Sequence, residues 1–207
     1  MRPSFHWAYL GTAGHAEDLR ISGSSSGRIS DYRDVAVELG TLLAERNIGL
    51  VYGGAAVGLM GAVADATIAA GGSVTGVIPR ALVEREVAHT GLSDLRVVGS
   101  MHERKALMAE LSDAFIALPG GIGTFEEIFE VWTWTQLGTH AKPCAVLNVH
   151  GFYDKLLGFL DHVVGEAFLK PVHRGMLLAS PDPDALLDLI AGYEVPAETK
   201  WIANNER

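Results

Sequence analysis

The sequence predicts an α/β fold in which a parallel sheet is covered by helices on both faces. Three observations carry that expectation. Runs rich in β-branched residues alternate with helix-like segments along most of the chain, in βαβα order. Apolar residues make up 48% of the 207 and charged residues 20%, so the chain can bury one real core and is not disordered. The 24 glycines exceed the usual share of about 7% and cluster as Gly-Gly pairs, which marks tight backbone loops.

The elements follow in order. Ser30 is placed to cap a helix over DYRDVAVELGTLLAERN, where Val35, Leu39, Leu42 and Leu43 share one face at the helical period. IGLVYGG reads as a buried strand, AVGLMGAVADATIAAGG as a helix stopped by Gly71 and Gly72, and SVTGVIP as a strand ended by Pro79. The polar segment RALVEREVAHTGLSD reads as a connection or short helix across the mouth of the sheet. Beyond it, LRVVGS is a strand, MHERKALMAELS a helix, AFIALPGG a strand and TFEEIFEVWTWTQLG a helix ending near Gly138. PCAVLNV, FYDKLLGFLDHVVGEAF, GMLLAS and PDALLDLIAGY continue the alternation. Phe125, Phe129 and Trp132 share a core face, while Trp134 points elsewhere and is a candidate for contact with a second subunit.

Composition excludes several function classes. Sixteen Lys plus Arg against 25 Asp plus Glu leave a formal charge of −9, the wrong sign for a generic nucleic-acid or anionic-membrane binder. Any bound anion must be held locally. The lone cysteine, Cys144, rules out an internal disulfide and a CxxC metal knuckle, and it fits a reducing, cytoplasmic setting. Residues 48–64 carry no charge, but Gly49, Gly53, Gly54, Gly58 and Gly61 interrupt them, so they read as strand, loop and helix rather than a membrane span. The opening MRPSFHWAYLGTAGHAEDLR lacks the apolar core and cleavage site of a signal peptide. The eight histidines form no H-x-H or HExxH grouping, so no metal site is expected.

The chemistry concentrates in glycine loops. Leu118-Pro119-Gly120-Gly121-Ile122-Gly123-Thr124 stands where a strand ends and a helix begins. Its glycines let the backbone approach a ligand, and the free N–H groups of a helix start suit a phosphate. A plain tight turn is the other reading. Thr124 and Glu127 match T-x-x-E, so Glu127 can be the return half of a capping box; Ser100 and Glu103 repeat the pattern. Arg104 and Lys105 follow, cations that lose about 0.3–1 kcal/mol in a first helical turn unless an anion sits there. They read either as anion ligands or as solvated side chains. Tyr52-Gly53-Gly54-Ala55-Ala56-Val57-Gly58-Leu59-Met60-Gly61 is a second glycine loop at a strand's carboxyl end, with Gly61 reading as a helix-packing glycine. Gly23-Ser24-Ser25-Ser26-Gly27 formally satisfies G-x-S-x-G, but a nucleophile elbow needs several strands before it and a partnered His after it. It reads as a flexible or phosphate-contacting loop.

Pro119-Gly120-Gly121-Ile122-Gly123-Thr124-Phe125-Glu126-Glu127 spells PGGxGTxxE, and Met101-His102-Glu103-Arg104-Lys105 precedes it. Together these motifs resemble the LOG ("Lonely guy") cytokinin riboside 5'-monophosphate phosphoribohydrolases, long misnamed lysine decarboxylases. The resemblance runs over residues 23–193 and includes VYGGAAVGLMG, SDAFIALPGG and TWTQLG. It implies a Rossmann-like, doubly wound domain over 23–193, set between an atypical segment 1–22 and a polar tail 194–207. It further implies a homodimer without cofactor that hydrolyses N6-modified AMP, or AMP itself, to free base and ribose 5-phosphate.

The resemblance assigns catalysis to Arg104 and Glu127. A carboxylate near the anomeric carbon stabilises the positive charge that builds on the ribose, which suits Glu127. Gly120, Gly121, Ile122, Gly123 and Thr124 would cradle the 5'-phosphate, with Met101, Lys105, Gly54 and Glu86 as further nucleotide contacts. Glu86 also reads as a solvated connection residue. Ile122 takes the variable loop position, often aromatic in relatives. Where members carry a short apolar first strand, HAEDLRISGSSSG holds Glu17, Asp18 and Arg20, so that strand is expected to be altered or supplied by FHWAYLG. A non-catalytic nucleotide carrier or sensor is the alternative. Amino-acid decarboxylation would need pyridoxal phosphate on a buried lysine with a ring-nitrogen partner, and the sequence shows no such arrangement.

Overall fold

The computed structural model describes residues 18–22, 25–83, 88–89, 91–92 and 94–196. Along them run β1 (Asp18–Ser22), α1 (Asp31–Glu45), β2 (Gly49–Tyr52), α2 (Gly58–Ala69), β3 (Val74–Pro79), α3 (Arg80–Val83), β4 (Asp94–Val98) and α4 (Met101–Leu111). There follow β5 (Ala114–Ala117), α5 (Ile122–Gln136), β6 (Cys144–Leu147), α6 (Asp154–Gly165), α7 (Pro171–Gly175), β7 (Leu177–Ser180) and α8 (Pro183–Ala191), with a 3-10 turn at Val149–Gly151. The strands form one sheet of seven in the order β4-β3-β2-β1-β5-β6-β7, each neighbouring pair parallel. The expected doubly wound architecture is what the chain adopts. No described helix is long and apolar enough to cross a membrane.

Alternation along each strand divides the core into two layers, because successive side chains leave a sheet on opposite faces. Leu50 and Tyr52 of β2, Ala114 and Ile116 of β5, and Ala145 and Leu147 of β6 pack with residues of α1, α2 and α8. Phe115, Ala117, Cys144 and Val146 point the other way, into Ile128, Val131 and Trp132 of α5 and Leu160 of α6. Val51 and Val77 meet Met108 of α4 on that second face. A Cβ at Gly40 would collide with the main chain of Val63, which is why α1 and α2 can cross so closely there. Ser30 does not cap α1 with its side chain; its backbone is helical and its hydroxyl donates to Asp31 Oδ1 at 3.2 Å.

The first strand overturns the sequence expectation. DLRIS, charges included, is the central strand of the sheet, with β2 on one side and β5 on the other. Leu19 is fully buried in the core. A central strand gains ladder hydrogen bonds along both edges, and that pairing outweighs a composition that is poor for an isolated strand. FHWAYLG, Gly23, Ser24, Glu86 and the tail from 197 lie outside the described residues.

β1 is also where the strand order reverses. The chain steps outward through β2, β3 and β4, then returns to the centre to build β5, β6 and β7. Open α/β sheets bind ligands in the crevice beyond the carboxyl ends at such a point. Ile21 pairs with Tyr52 and Ser22 with Ala117, so the loops after β1, β2 and β5 leave the sheet side by side. Both glycine loops found in the sequence open on this rim.

Candidate active site at the carboxyl edge

α4 begins with a closed cap. Ser100 has an extended backbone and its Oγ accepts the Glu103 N–H at 3.1 Å, while the Gly99 N–H donates to Glu103 Oε2 at 2.7 Å. Glu103 is therefore a cap partner, as the sequence pattern suggested. One residue on, Arg104 turns inward and is only 8% exposed. Its Nε donates to the Val77 carbonyl and its Nη2 to the Gly53 carbonyl, both at 3.1 Å, and its Nη1 lies 3.8 Å from the sulfur of half-exposed Met101. These partners are carbonyls and a thioether, not carboxylates. Hydrogen bonds to a charged group return about 1.5–3 kcal/mol each, against a desolvation penalty of several kcal/mol for a buried ion. An anion placed against the guanidinium would complete the balance.

Within the second glycine loop the resemblance assigns a nucleotide contact to Gly54, while Gly53 is the residue that lies against Arg104. A Cβ at Gly53 would occupy the position of Arg104 Nη2, so only glycine leaves room for the guanidinium. Gly54 takes φ +76° and its carbonyl accepts the His89 N–H at 3.0 Å. His89 Nε2 in turn lies 2.8 Å from Asp65 Oδ1, which fastens His89 to α2. The Gly-Gly pair at the end of a buried strand was the available signal for both roles.

Lys105, expected to meet the nucleotide, braces α4 against α5. Its Nζ sits 2.7 Å from Glu126 Oε1 and 2.9 Å from Glu130 Oε1, and those bonds, Glu126 first, hold the ammonium above the usual lysine range. This brace joins α4 to α5 one residue away from Arg104 on the first helix and one residue away from Glu127 on the second.

α5 begins differently. Its N-cap is Gly121, in extended backbone and with no side-chain cap, and no acidic residue occupies its first turn. Thr124 and Glu127 consequently lie inside the helix, and the capping-box reading of Glu127 is corrected: the helix starts earlier than T-x-x-E implied. The Phe125 N–H is the donor that reaches Gly121 O, at 3.2 Å, so the N–H groups of Ile122, Gly123 and Thr124 stand ahead of the first helical bond. A Cβ at Gly121 or Gly123 would meet nothing within 4 Å, whereas one at Gly120 would strike buried Thr124. Ile122 is 85% exposed at the lip. The result is an open, electropositive cradle on the same carboxyl rim of the sheet as the buried guanidinium, with a half-buried carboxylate, Glu127, about one helical turn further along α5. Trp134, expected to point away from the core, packs against its edge and meets His140 at 6.3 Å. Among the described residues, no group of three or more His, Cys, Asp or Glu is arranged to hold a metal ion.

Comparison with known proteins adds the following. A family model described as "Possible lysine decarboxylase" matches residues 60–190. A probable cytokinin riboside 5'-monophosphate phosphoribohydrolase of Oryza sativa subsp. japonica is 53% identical over 171 residues, covering 83% of this chain and 75% of that protein. A cytokinin riboside 5'-monophosphate phosphoribohydrolase of Arabidopsis thaliana is 48% identical over 178 residues, covering 86% and 83%. The structure of a molybdenum cofactor carrier protein from Chlamydomonas reinhardtii superposes with a TM-score of 0.64 at 20% identity, over 84% of this chain and 94% of that one. A molybdenum cofactor binding protein from Rippkaea orientalis gives 0.64 at 21%, over 84% and 94%. At such identities the structural likeness speaks for the fold alone.

Proposed function

We infer that this chain, which belongs to the cytokinin riboside 5'-monophosphate phosphoribohydrolase family, hydrolyses the N-glycosidic bond of an N6-modified adenosine 5'-monophosphate, or of AMP. The products are free base and ribose 5-phosphate. The observation that carries this reading is the buried Arg104, held by two main-chain carbonyls on the same sheet rim as the uncapped, acid-free start of α5.

In this reading the 5'-phosphate lies against the N–H groups of Ile122, Gly123 and Thr124, where the helix start contributes partial positive charge. The ribose then extends toward Glu127. As the C1'–N9 bond lengthens, positive charge spreads over C1' and the ring oxygen, and a carboxylate stabilises it. Water adds its oxygen to C1', the bonding pair leaves with N9, and the water's proton ends on the purine. Arg104 either fixes the nucleotide or aids departure of the purine. The first role raises KM when lost, and the second lowers kcat. The name on the family model would require a lysine that readily gives up its proton to form a Schiff base. Lys105 is held protonated by two carboxylates, and Lys142, which burial holds below the usual lysine range, gives its Nζ to the Ala109 main-chain oxygen at 2.7 Å. A homodimer, testable by sedimentation, and a cytoplasmic setting complete the proposal.

The test is a panel of nucleoside monophosphates assayed for released base. Arg104→Ala and Glu127→Ala are each expected to lose about 100-fold or more in kcat/KM while melting as folded proteins. Normal hydrolysis by both would overturn the assigned roles. AMP binding with no base released on long incubation would instead favour a carrier or sensor.

A further inference from the structure

Tyr153 is fully buried and stands at the N-cap of α6, after the turn that follows β6. Its hydroxyl donates to the main-chain oxygen of Leu118 at 2.6 Å. Leu118 is itself buried and immediately precedes Pro119-Gly120-Gly121, the start of the cradle. The Tyr153 ring packs edge-on against Phe125 at 6.2 Å, and Phe125 closes the first turn of α5. One side chain thus touches the cradle on both flanks. Burial pushes the phenol well above its usual pKa, so it stays a neutral donor.

The turn beneath Tyr153 is pinned in its own right. The Tyr153 N–H donates to Asn148 Oδ1 at 2.7 Å, Asn148 Nδ2 donates to Asp154 Oδ1 at 2.8 Å, and the Asn148 N–H donates to Ser180 O at 2.8 Å. The same turn holds the start of α1, through His150 Nε2 at 2.7 Å from Asp31 Oδ2 and Phe152 edge-on to Tyr32 at 6.0 Å. Elements on both sides of the strand-order reversal are therefore fastened to residues 148–154.

We propose that Tyr153 is a positioning residue for the phosphate cradle, setting the height of the glycine loop through its hydrogen bond to Leu118. The proposal rests on the hydrolase reading above. N–H groups that grip a phosphate must be held to within a fraction of an ångström, and the flexible glycines cannot supply that stiffness themselves. Removing the hydroxyl leaves the buried Leu118 carbonyl without its donor, and the loop relaxes toward another one.

Tyr153→Phe is expected to raise KM for the cleaved monophosphate and the inhibition constant of ribose 5-phosphate together, by about tenfold, while kcat falls less than about threefold. Calorimetric titration with ribose 5-phosphate reads the same loss without turnover. A lower melting temperature with unchanged KM and unchanged ribose 5-phosphate affinity would reduce Tyr153 to a packing role and overturn the proposal. Should Tyr153→Phe fail to fold, Asn148→Ala, which keeps the hydroxyl but loosens the turn, carries the test: a smaller rise in both constants supports it and unchanged constants overturn it. If the unaltered protein neither binds ribose 5-phosphate nor releases base, the hydrolase reading fails and takes this proposal with it. If it does both and the variants bind equally well, only the positioning role fails.

Discussion

Two helices begin at the same rim of the sheet, and they begin in opposite ways. α4 closes its own N-terminus with Ser100 and Glu103, an acid in the first turn. α5 starts at Gly121 with no side-chain cap and no acid. Both helix starts carry the same partial positive charge. The first is neutralised by the chain, and the second is left to recruit a negative group from outside. The cations of α4 fit that division: Arg104 is turned into the sheet edge and Lys105 is taken up by Glu126 and Glu130. An S/T-x-x-E pattern occurs at both places, and only one of them is a cap.

The largest effect should come from breaking the seat of the guanidinium. Gly53→Ala puts a methyl group where Arg104 Nη2 lies, and it is expected to lose about 100-fold or more in kcat/KM, as Arg104→Ala does, in a protein that still shows native circular dichroism. Retained activity would mean that Arg104 acts without its carbonyl anchors. Next, Gly121→Asp converts the open start of α5 into one like that of α4. The backbone there, φ −92° and ψ −159°, suits any residue, and the new Cβ meets nothing within 4 Å. Stability should hold or rise by a few tenths of a kcal/mol, roughly the gain from an Asp cap over glycine. KM for the monophosphate should rise about tenfold or more, since the carboxylate now occupies the anion's place. An unchanged KM would show that the phosphate binds elsewhere. The smallest effect on activity is expected for Ser100→Ala, which costs about 1 kcal/mol of stability with kcat/KM within about twofold. A large loss of activity there would make the closed cap part of the site.

Which parts of this were legible beforehand follows from range. β2 and β5 announce themselves as short apolar runs ended by Gly-Gly pairs, and the helices by their period and glycine stops, because those signals are local. β1 was misjudged because its charges argue against a strand locally, while its two ladder partners lie about thirty and a hundred residues away. The helix start at Ile122 was misplaced because the glycines that look like loop already serve as N-cap and first turn. Lys105 reads in sequence as an anion ligand or a solvated side chain, and its pairing with Glu126 and Glu130 of the next helix is a contact that no local pattern announces. Nothing near Tyr153 in sequence hints at Leu118, thirty-five positions back.

Sequence alone determined the α/β rhythm, the glycine loops and the residue types that can hold a nucleotide, because periodicity, turn chemistry and charge are properties of neighbouring residues. Tertiary structure alone decided which of those residues are committed to the protein itself. Burial of Arg104, pairing of Lys105, the open start of α5 and the hydroxyl beneath its loop all depend on contacts between segments far apart in the chain, and such contacts exist only once the sheet has brought its carboxyl edges together.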